Sequence, residues 1–446
     1  MPSETTIKSS STPPNRLALR GDLLDFSAQP AWGVLDSPAV RFQPDHWLLI
    51  ADGRIQGSQP AEPDESWHKV DHSGRLIMPG FVDTHVHCPQ LDVIASYGTE
   101  LLDWLNTYTF PAECRYADPA VAQAGAERFL DALLAHGTTA AVVFPTVHKV
   151  SAEALFAAAA ERGMRLITGK VLMDRHAPAA LLDDVASAER DCIDLIDRWH
   201  GQGPHGRLAY AVTPRFAPTS SAAQLAMAGA LCRADASLYM QTHVAENRAE
   251  VRWVSDLFPQ ARSYLDVYDQ LGLLHPRAVL AHGIWLDDED RLALQRRGAQ
   301  LAFCPSSNLF LGSGLFDWAA AAGTGVPVSV ASDVGGGTSL SMQRNLLDAY
   351  KVQALAGQRL SAWAALHAAT RGAAEGLGLT HELGHFGTNT LADVCVWDWA
   401  CGPVAQARDA VAQNLHERVF AWMCLSDERN LVSSYVAGKI SYHRKT

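Results

Sequence analysis

The feature that most constrains the fold is a rhythm in which short apolar runs alternate with longer, Ala- and Leu-rich stretches of helical character. Eight runs are typical of strands, at residues 76–82, 139–144, 165–172, 208–212, 237–241, 278–281, 300–303 and 326–331. Several are apolar on both faces, as parallel strands covered by helices are. Helical stretches lie at 119–136, 152–162, 181–199, 221–234, 287–297 and 340–356. Eight strand–helix units in series predict an α/β fold, a (β/α)₈ TIM-like barrel.

The two ends of the chain have a different pattern. Residues 16–75 are strand-like with few helical stretches, and Asp52-Gly53 is a hairpin signal after an apolar run. Strand patterns return after about residue 384, at 391–399, 419–424 and 431–440. We therefore expect a small β-sandwich domain built from both termini (16–75 and 385–446) beside a barrel at 76–384. Residues 1–15, rich in Ser, Thr and Pro, are expected to form a flexible tail.

Composition narrows the class of partner. The 446 residues carry a formal net charge of −12 and no Lys/Arg-rich run, which argues against nucleic acid. The N-terminal segment lacks the apolar core of a secretory signal, and no apolar stretch is long enough to cross a bilayer. Eight scattered cysteines without a Cys-x-x-Cys pair indicate reduced thiols. We expect a soluble cytoplasmic protein with neither a nucleic-acid nor a membrane partner.

Polar residues concentrate where the predicted barrel strands end, which is where barrels of this type carry their chemistry. His85 and His87 follow the first run and point to the same side, because side chains alternate along a strand. His243 follows the fifth run, His282 the sixth and Asp333 the eighth. Each alone is compatible with a helix cap or a core position, but their shared location predicts a metal site. Imidazoles with one carboxylate suit zinc, and iron accepts them as well.

Several motifs carry a resemblance to a known family. Residues 77–87, IMPGFVDTHVH, resemble the first-strand signature of the amidohydrolase superfamily, whose members share a barrel and a small β-domain made from both chain ends. Within it, HVHCPQ (85–90), LDWL (102–105), TPRFAP (213–218), SDVGGGT (332–338) and DERN (427–430) resemble guanine deaminases. The resemblance implies hydrolysis of guanine to xanthine and ammonia with a metal-activated water, in cytosolic purine catabolism, by a homodimer.

The resemblance also suggests roles for single residues. The metal hypothesis is one zinc ion per subunit (iron being the alternative), held by His85, His87, His243 and Asp333. His282 is a further ligand or orients the water, and Glu246, three residues after His243, shuttles protons; the predicted catalytic residues are Glu246, His282 and Asp333. The predicted substrate contacts are His87, Cys88, Pro89, Gln90, Arg215, Phe216, His243, Glu246 and Asp333.

Three of these contacts have a physical basis in the chemistry of a purine. Gln90 offers both a donor and an acceptor to a ring edge. Arg215 offers a planar fork of donors to the carbonyl oxygen of guanine. Phe216 offers an aromatic face or edge to the base.

Three alternatives stay open. Another aminohydrolase, acting on 8-oxoguanine, a thioadenosine or a triazine, would keep the metal set and read its substrate with other residues. A cyclic-amide hydrolase would need a carboxylated lysine that bridges two metals, and Lys170 in the third run is the candidate; we favour one metal with Lys170 outside its shell. A non-catalytic scaffold is disfavoured, because every expected ligand and Glu246 are present.

Overall fold

The computed structural model describes residues 15–97 and 101–445, so the predicted tail lies outside the described residues except for Asn15. The strands are β1 Arg16–Phe26, β2 Val40–Ala51, β3 Arg54–Gln59, β4 His68–Pro79, β5 Phe81–His87, β6 Thr138–Phe144, β7 Arg165–Thr168, β8 Val171–Leu172, β9 Leu208–Pro214, β10 Tyr239–Val244, β11 Ala278–His282, β12 Gln300–Phe303, β13 Val328–Val330, β14 Val394–Trp397, β15 Leu431–Val436 and β16 Lys439–His443.

The α-helices cover the barrel and fill its loops. They are α1 Leu101–Trp104, α2 Phe110–Cys114, α3 Pro119–Ala135, α4 Lys149–Arg162, α5 Val185–Trp199, α6 Ala222–Ala234, α7 Arg248–Leu257, α8 Tyr264–Gln270, α9 Asp288–Arg297, α10 Pro305–Phe310, α11 Trp318–Gly323, α12 Met342–Leu355, α13 Ala362–Ala368, α14 Arg371–Gly376, α15 Pro403–Asp409 and α16 Leu415–Leu425. Their starts follow local chemistry: Asp118 caps α3 by accepting from the backbone N–H of Ala120, and Pro119 occupies the first turn.

The barrel is a run of parallel strands in the order β5-β6-β7-β9-β10-β11-β12-β13, with the short β8 paired to β9. Two backbone hydrogen bonds join its ends: His87 N donates to Val334 O at 2.8 Å, and Asp333 N donates to His85 O at 2.9 Å. Every residue of β6 and β9 is buried, as expected for strands covered on both faces. The predicted fold class is confirmed.

The strands from the two termini form one seven-stranded sheet, in the order β16-β15-β14-β4-β1-β2-β3. It is mixed, because β1 and β4 run parallel while the other neighbours are antiparallel. The Asp52-Gly53 turn joins β2 to β3 as predicted. The sheet contacts the barrel layer through β15 and β16, which lie against α3.

The first predicted run, 76–82, is divided between the two sheets. Residues up to Pro79 belong to β4 and pair with β14, where Leu76 lies opposite Trp397. The barrel strand β5 begins at Phe81, after Gly80. Both halves are buried and apolar, so hydrophobicity alone does not separate them, and Pro79-Gly80 marks the boundary.

The predicted strand at 419–424 is wrong, because these residues lie in α16. The buried side chains of this helix are Val419, Trp422 and Met423, spaced by three and one, which suits one helical face. Asn414 caps the helix by accepting from the backbone N–H of Glu417 at 2.9 Å. The dense apolar run concealed the helical period.

Among the described residues, no helix combines the length and the apolar character needed to cross a bilayer.

Candidate metal centre and active site

The barrel brings the predicted polar residues to one mouth. His85 and His87 lie on β5, His243 on β10 and His282 at the last position of β11. Asp333 lies three residues beyond the end of β13. All five side chains are at least nine-tenths buried except that of His243, which is half-buried. Residues up to 248 positions apart in the chain thus meet because their strands end side by side.

Four side chains converge on a common point. The Nε2 atom of His87 lies 3.2 Å from Nε2 of His85 and 3.2 Å from Nε2 of His243. Oδ1 of Asp333 lies 3.1 Å from Nε2 of His85 and 3.3 Å from Nε2 of His87. One ligand atom from each of the four residues lies within 4.8 Å of the others.

The donor set fits a divalent cation. Nδ1 of His243 lies 2.7 Å from the carbonyl oxygen of Arg215, so Nδ1 carries the proton and Nε2 presents its lone pair. Burial lowers the pKa of His87 to about 3, and burial followed by the neighbouring imidazoles holds the pKa of His243 well below its usual value. Neutral ring nitrogens at these distances repel one another, and a bound cation removes that repulsion.

The backbone is strained where the strands deliver these groups. Ala245, His282 and Asp333 adopt φ values of +48°, +71° and +47°. L residues rarely occupy this left-handed region, and such positions cluster at functional sites. Asp83 helps to hold Asp333 through the preceding residue. The Asp83 carboxylate accepts from Ser332 N at 3.0 Å and also from the Ser332 hydroxyl. The residue before Asp333 is therefore tied to the barrel interior.

Glu246 is the carboxyl group next to the converging ligands. Burial, followed by the charge of Asp333, raises its pKa to about 8, against the hydrogen bond from Ser313. The Ser313 hydroxyl donates to Oε1 at 2.9 Å, and Oε2 lies 3.4 Å from Nε2 of His282. A carboxyl with a pKa near neutrality is suited to both accept and release a proton.

A second carboxyl, Glu250, supports the loop that carries Glu246. Its Oε2 accepts from the backbone N–H groups of Glu246 and Asn247 at 3.0 and 3.1 Å, and its Oε1 accepts from Tyr264 at 2.6 Å. Burial, followed by the charge of Glu246, raises the pKa of Glu250 to about 7. Asn247 and Glu250 together form a capping box at the start of α7.

The groups predicted to read a purine lie on the opposite wall. Nη1 of Arg215 donates to both carboxylate oxygens of Glu113 at 2.8 Å. Nε2 of Gln90 donates to the same carboxylate at 3.3 Å, and Oε1 of Gln90 accepts from Gly335 N at 3.3 Å. Glu113, fully buried on α2, thereby connects the two predicted reading groups.

These walls line one pocket that is open to solvent on one side. Apolar side chains of Trp104, Leu105, Phe216 and Leu311 also line it. Gly335 is required beside the cavity, because a Cβ atom there would lie 2.6 Å from the backbone oxygen of Gln90. The pocket therefore combines polar and apolar lining groups.

Most predicted site residues meet here. The cavity is lined by His87, Gln90, Arg215, Phe216, His243, Glu246, His282 and Asp333, and His85 belongs to the converging four. Two predicted substrate contacts are not in the lining: Pro89 is buried in the first turn of a short 3₁₀ helix, and Cys88 packs in the core beside Tyr116. The strand β5 ends at His87, and the 3₁₀ helix that begins at Cys88 turns the chain so that the Cys88 side chain packs in the core.

Sequence reasoning missed other residues at the site. Glu113 and Glu250 belong to none of the motifs that indicate the site, although Glu250 lies four positions after Glu246. Trp104 and Leu105 belong to the LDWL motif but were given no role. Asn308 and Ser313 follow the seventh barrel strand, β12, and the residues directly after that strand include no predicted site residue.

Lys170 lies between β7 and β8, fully buried, and its Nζ pairs with Asp183. It is absent from the converging set, and its ammonium already has a carboxylate partner. This arrangement favours the single-metal interpretation over a bridging lysine.

Comparison with known proteins gives one consistent answer. Residues 76–440 match the Amidohydrolase family. Guanine deaminase of Escherichia coli (strain K12) is 42% identical over 439 residues, which cover 96% of this chain and 98% of that protein. The crystal structure of guanine deaminase from Bradyrhizobium japonicum is 34% identical, with a TM-score of 0.92 over 97% of this chain and 100% of that one. The crystal structure of guanine deaminase from C. acetobutylicum with bound guanine is 26% identical, with a TM-score of 0.84 over 96% and 100%.

Proposed function

Because the chain belongs to the amidohydrolase family and, within it, to the guanine deaminases, we propose that it hydrolyses guanine to xanthine and ammonia. The observation that carries the proposal is the pairing of two half-sites in one cavity. One half gathers His85, His87, His243 and Asp333 beside Glu246. The other presents Arg215 and Gln90 to the edge of a planar base.

We propose that His85, His87, His243 and Asp333 hold one zinc ion, with iron as the alternative. When bound, the ion supplies a water molecule of lowered pKa as the nucleophile. The Nδ1–H bond from His243 to the Arg215 carbonyl fixes one ligand tautomer. Asp333 N donates to His85 O and His87 N donates to Val334 O across the barrel closure. The backbones of three of the four ligands, His85, His87 and Asp333, therefore keep a fixed relative position.

The second half-site orients the base. Arg215 donates to the guanine carbonyl oxygen and Gln90 to an adjacent ring position, while Phe216 borders the base. Glu113 holds both polar groups before substrate arrives. Adenine lacks the carbonyl oxygen and would leave the buried Arg215 without that acceptor, so it is rejected.

Glu246 moves the protons. It accepts one from the nucleophilic water as the oxygen attacks C2, and delivers it to the neighbouring ring nitrogen. It then transfers a second proton, from the new hydroxyl to the exocyclic amine, which leaves as ammonia while the C2 carbonyl forms. His282, 3.4 Å from Oε2 of Glu246, orients the water for attack. A pKa of about 8 lets Glu246 do both tasks near neutral pH.

We further propose that the enzyme acts in purine catabolism in the cytoplasm as a homodimer. The support is the resemblance of the chain to guanine deaminases. Light scattering on purified protein tests the dimer, and fractionation of the source cells tests the compartment.

The test of function is ammonia release from guanine, compared with adenine, cytosine and 8-oxoguanine, on protein of measured metal content. Guanine should be the preferred substrate by kcat/KM. Preference for 8-oxoguanine or another aminated ring would favour a related aminohydrolase. Absence of turnover in metal-loaded protein would favour the scaffold alternative.

A further inference from the structure

The segment that follows β12 contacts both ionisable groups of the proton-transfer apparatus. Asn308, in α10, places Oδ1 2.9 Å from Nδ1 of His282. Ser313, five residues later, donates its hydroxyl to Oε1 of Glu246 at 2.9 Å. The two are linked to each other, since Ser313 N donates to Asn308 O at 2.9 Å.

The hydrogen bond from Ser313 makes the two oxygens of Glu246 different. Oε1 is occupied by the hydroxyl of Ser313, and both side chains are at least nine-tenths buried. Oε2 lies 3.4 Å from Nε2 of His282, and both Glu246 and His282 line the cavity. A hydroxyl that donates to Oε1 disfavours a proton on that oxygen, because two hydrogens would then point at each other.

We propose that Ser313 is a positioning residue that confines the proton carried by Glu246 to Oε2, the oxygen that faces the substrate. This inference rests on the proposed function.

The proton balance follows from that assignment. The nucleophilic water loses one proton to Oε2 as its oxygen bonds to C2, and Oε2 gives that proton to the ring nitrogen. The hydroxyl on C2 then gives its proton to Oε2, which passes it to the amine. The C2–N bond breaks with its electron pair on nitrogen, and ammonia leaves. Through every transfer, the Ser313 hydroxyl keeps its own hydrogen.

The backbone holds Ser313 in place from both sides. Gly312 and Gly314 adopt φ values of +67° and +140°, so the turn bends sharply around Ser313. A Cβ atom on Gly314 would lie 2.8 Å from the Trp285 ring. The indole N–H of Trp285 donates to Ser313 O at 3.1 Å. The carbonyl and the N–H of Ser313 are both bonded, so its backbone is held in place beside Glu246.

The experiment compares Ser313→Ala and Ser313→Thr with the wild-type holoenzyme, using guanine as the probe. Ser361→Ala is the matched control, because Ser361 is a buried serine whose hydroxyl caps α13 by accepting from Ala364 N at 3.2 Å and, within the described part of the chain, has no bond to a residue of the site. For each protein, kcat, KM, metal content and melting temperature are measured. Ser313→Cys, of similar size but a weak donor, replaces the Ala variant should that fail to fold.

The proposal expects Ser313→Ala to lower kcat by roughly 10- to 100-fold, with KM and metal content close to wild type. Ser313→Thr should recover most of the loss, and Ser361→Ala should keep the wild-type kcat. A kcat for Ser313→Ala within twofold of wild type overturns the proposal, as does an equal fall in Ser313→Ala and Ser313→Thr. Failure of the wild-type protein to deaminate guanine would instead overturn the proposed function.

Discussion

Ionisable side chains are buried at both ends of the barrel, and the two groups differ in how their charges are matched. At the base, where strands begin, Arg165 and Arg207 pair with Glu382 and Asp393; we call these four the base network. Arg165 Nε donates to Glu382 at 2.9 Å and Arg207 Nη1 donates to Asp393 at 3.0 Å. Arg207 also lies 3.2 Å from Glu382. Two cations therefore face two anions.

At the mouth the charges are not matched. Asp333 and Glu246 lie beside imidazoles, of which burial keeps His87 and His243 neutral. Arg215 is already paired with Glu113. Among the described residues, no Lys or Arg side chain pairs with Asp333 or Glu246, whose ion-pair contacts are with imidazoles. A divalent cation would supply the positive charge that Lys and Arg supply at the base. Buried ionisable side chains therefore do not by themselves mark a functional site. The mouth differs from the base because Asp333 and Glu246 lack a Lys or Arg partner in the part of the chain that the structure describes.

The largest expected effect comes from removing one converging ligand. His243→Ala should lose zinc and reduce guanine turnover to background, since the three remaining ligands would bind the ion more weakly and a site without the ion supplies no water of lowered pKa. Metal analysis and ammonia release measure this. His136→Ala, whose ring bonds a helix carbonyl 2.7 Å away, is the control that should keep both. Wild-type zinc content in His243→Ala would contradict the assignment of His243 as a metal ligand at the mouth.

Glu246→Gln tests the unmatched carboxyl without touching the ligands. The amide keeps the shape and cannot carry the proton, so kcat should fall by about 10²–10⁴-fold. Metal content and melting temperature should remain near wild type. Steady-state kinetics with guanine measure the loss. A variant that retains more than half the wild-type kcat would remove Glu246 from the mechanism.

Arg207→Met tests the base network, where each buried carboxylate has an arginine partner. It leaves Asp393 buried without its cation, which should lower the free energy of unfolding by about 3–5 kcal/mol, while kcat per folded molecule stays unchanged. Urea unfolding measures the first and kinetics the second. The control is Lys351→Met, at an exposed pair with Asp348 of 3.0 Å, expected to cost about 0–1 kcal/mol. Equal costs for the two would mean that the base network has no structural role.

The smallest expected effect is on the pH dependence of stability at the base. Burial lowers the pKa of His367 to about 4, although Glu375 at 3.6 Å opposes this. The unfolded chain, with an ordinary histidine pKa of about 6.5, binds the proton more readily, so stability is lost as pH falls from about 6.5 towards 4. The loss is at most about 3 kcal/mol.

Urea unfolding of His367→Gln at pH 7 and pH 5 measures that contribution. The variant should lose less stability than the wild type between these two values. If the free energy of unfolding of the variant depends on pH as the wild type's does, protonation of His367 is not the cause of the stability loss.

The sequence predicted the mouth far better than the base. His85, His87, His243 and Asp333 were found because each follows a predicted strand, and parallel strands end at one edge. The base network gave no such signal: Arg165 and Glu382 are 217 positions apart, and Arg207 and Asp393 are 186 apart. Pairing of that kind depends on where the terminal sheet packs, which no local pattern records.

Other differences have equally local causes. The run 419–424 predicts a strand because all of its residues are apolar, so the helical spacing of its buried residues is not visible in the sequence. Ser313 was missed because it stands ten residues beyond the end of β12, after a short helix. Cys88 is a predicted substrate contact as part of the HVHCPQ motif, but it begins the 3₁₀ helix after β5 and its side chain packs in the core.

The most direct test of the account is a titration of metal-free protein with zinc while guanine turnover is followed. The account predicts that turnover rises in proportion to added zinc and stops rising at one ion per chain. Full guanine turnover by protein without bound metal, or a rise that continues to two ions per chain, would contradict it.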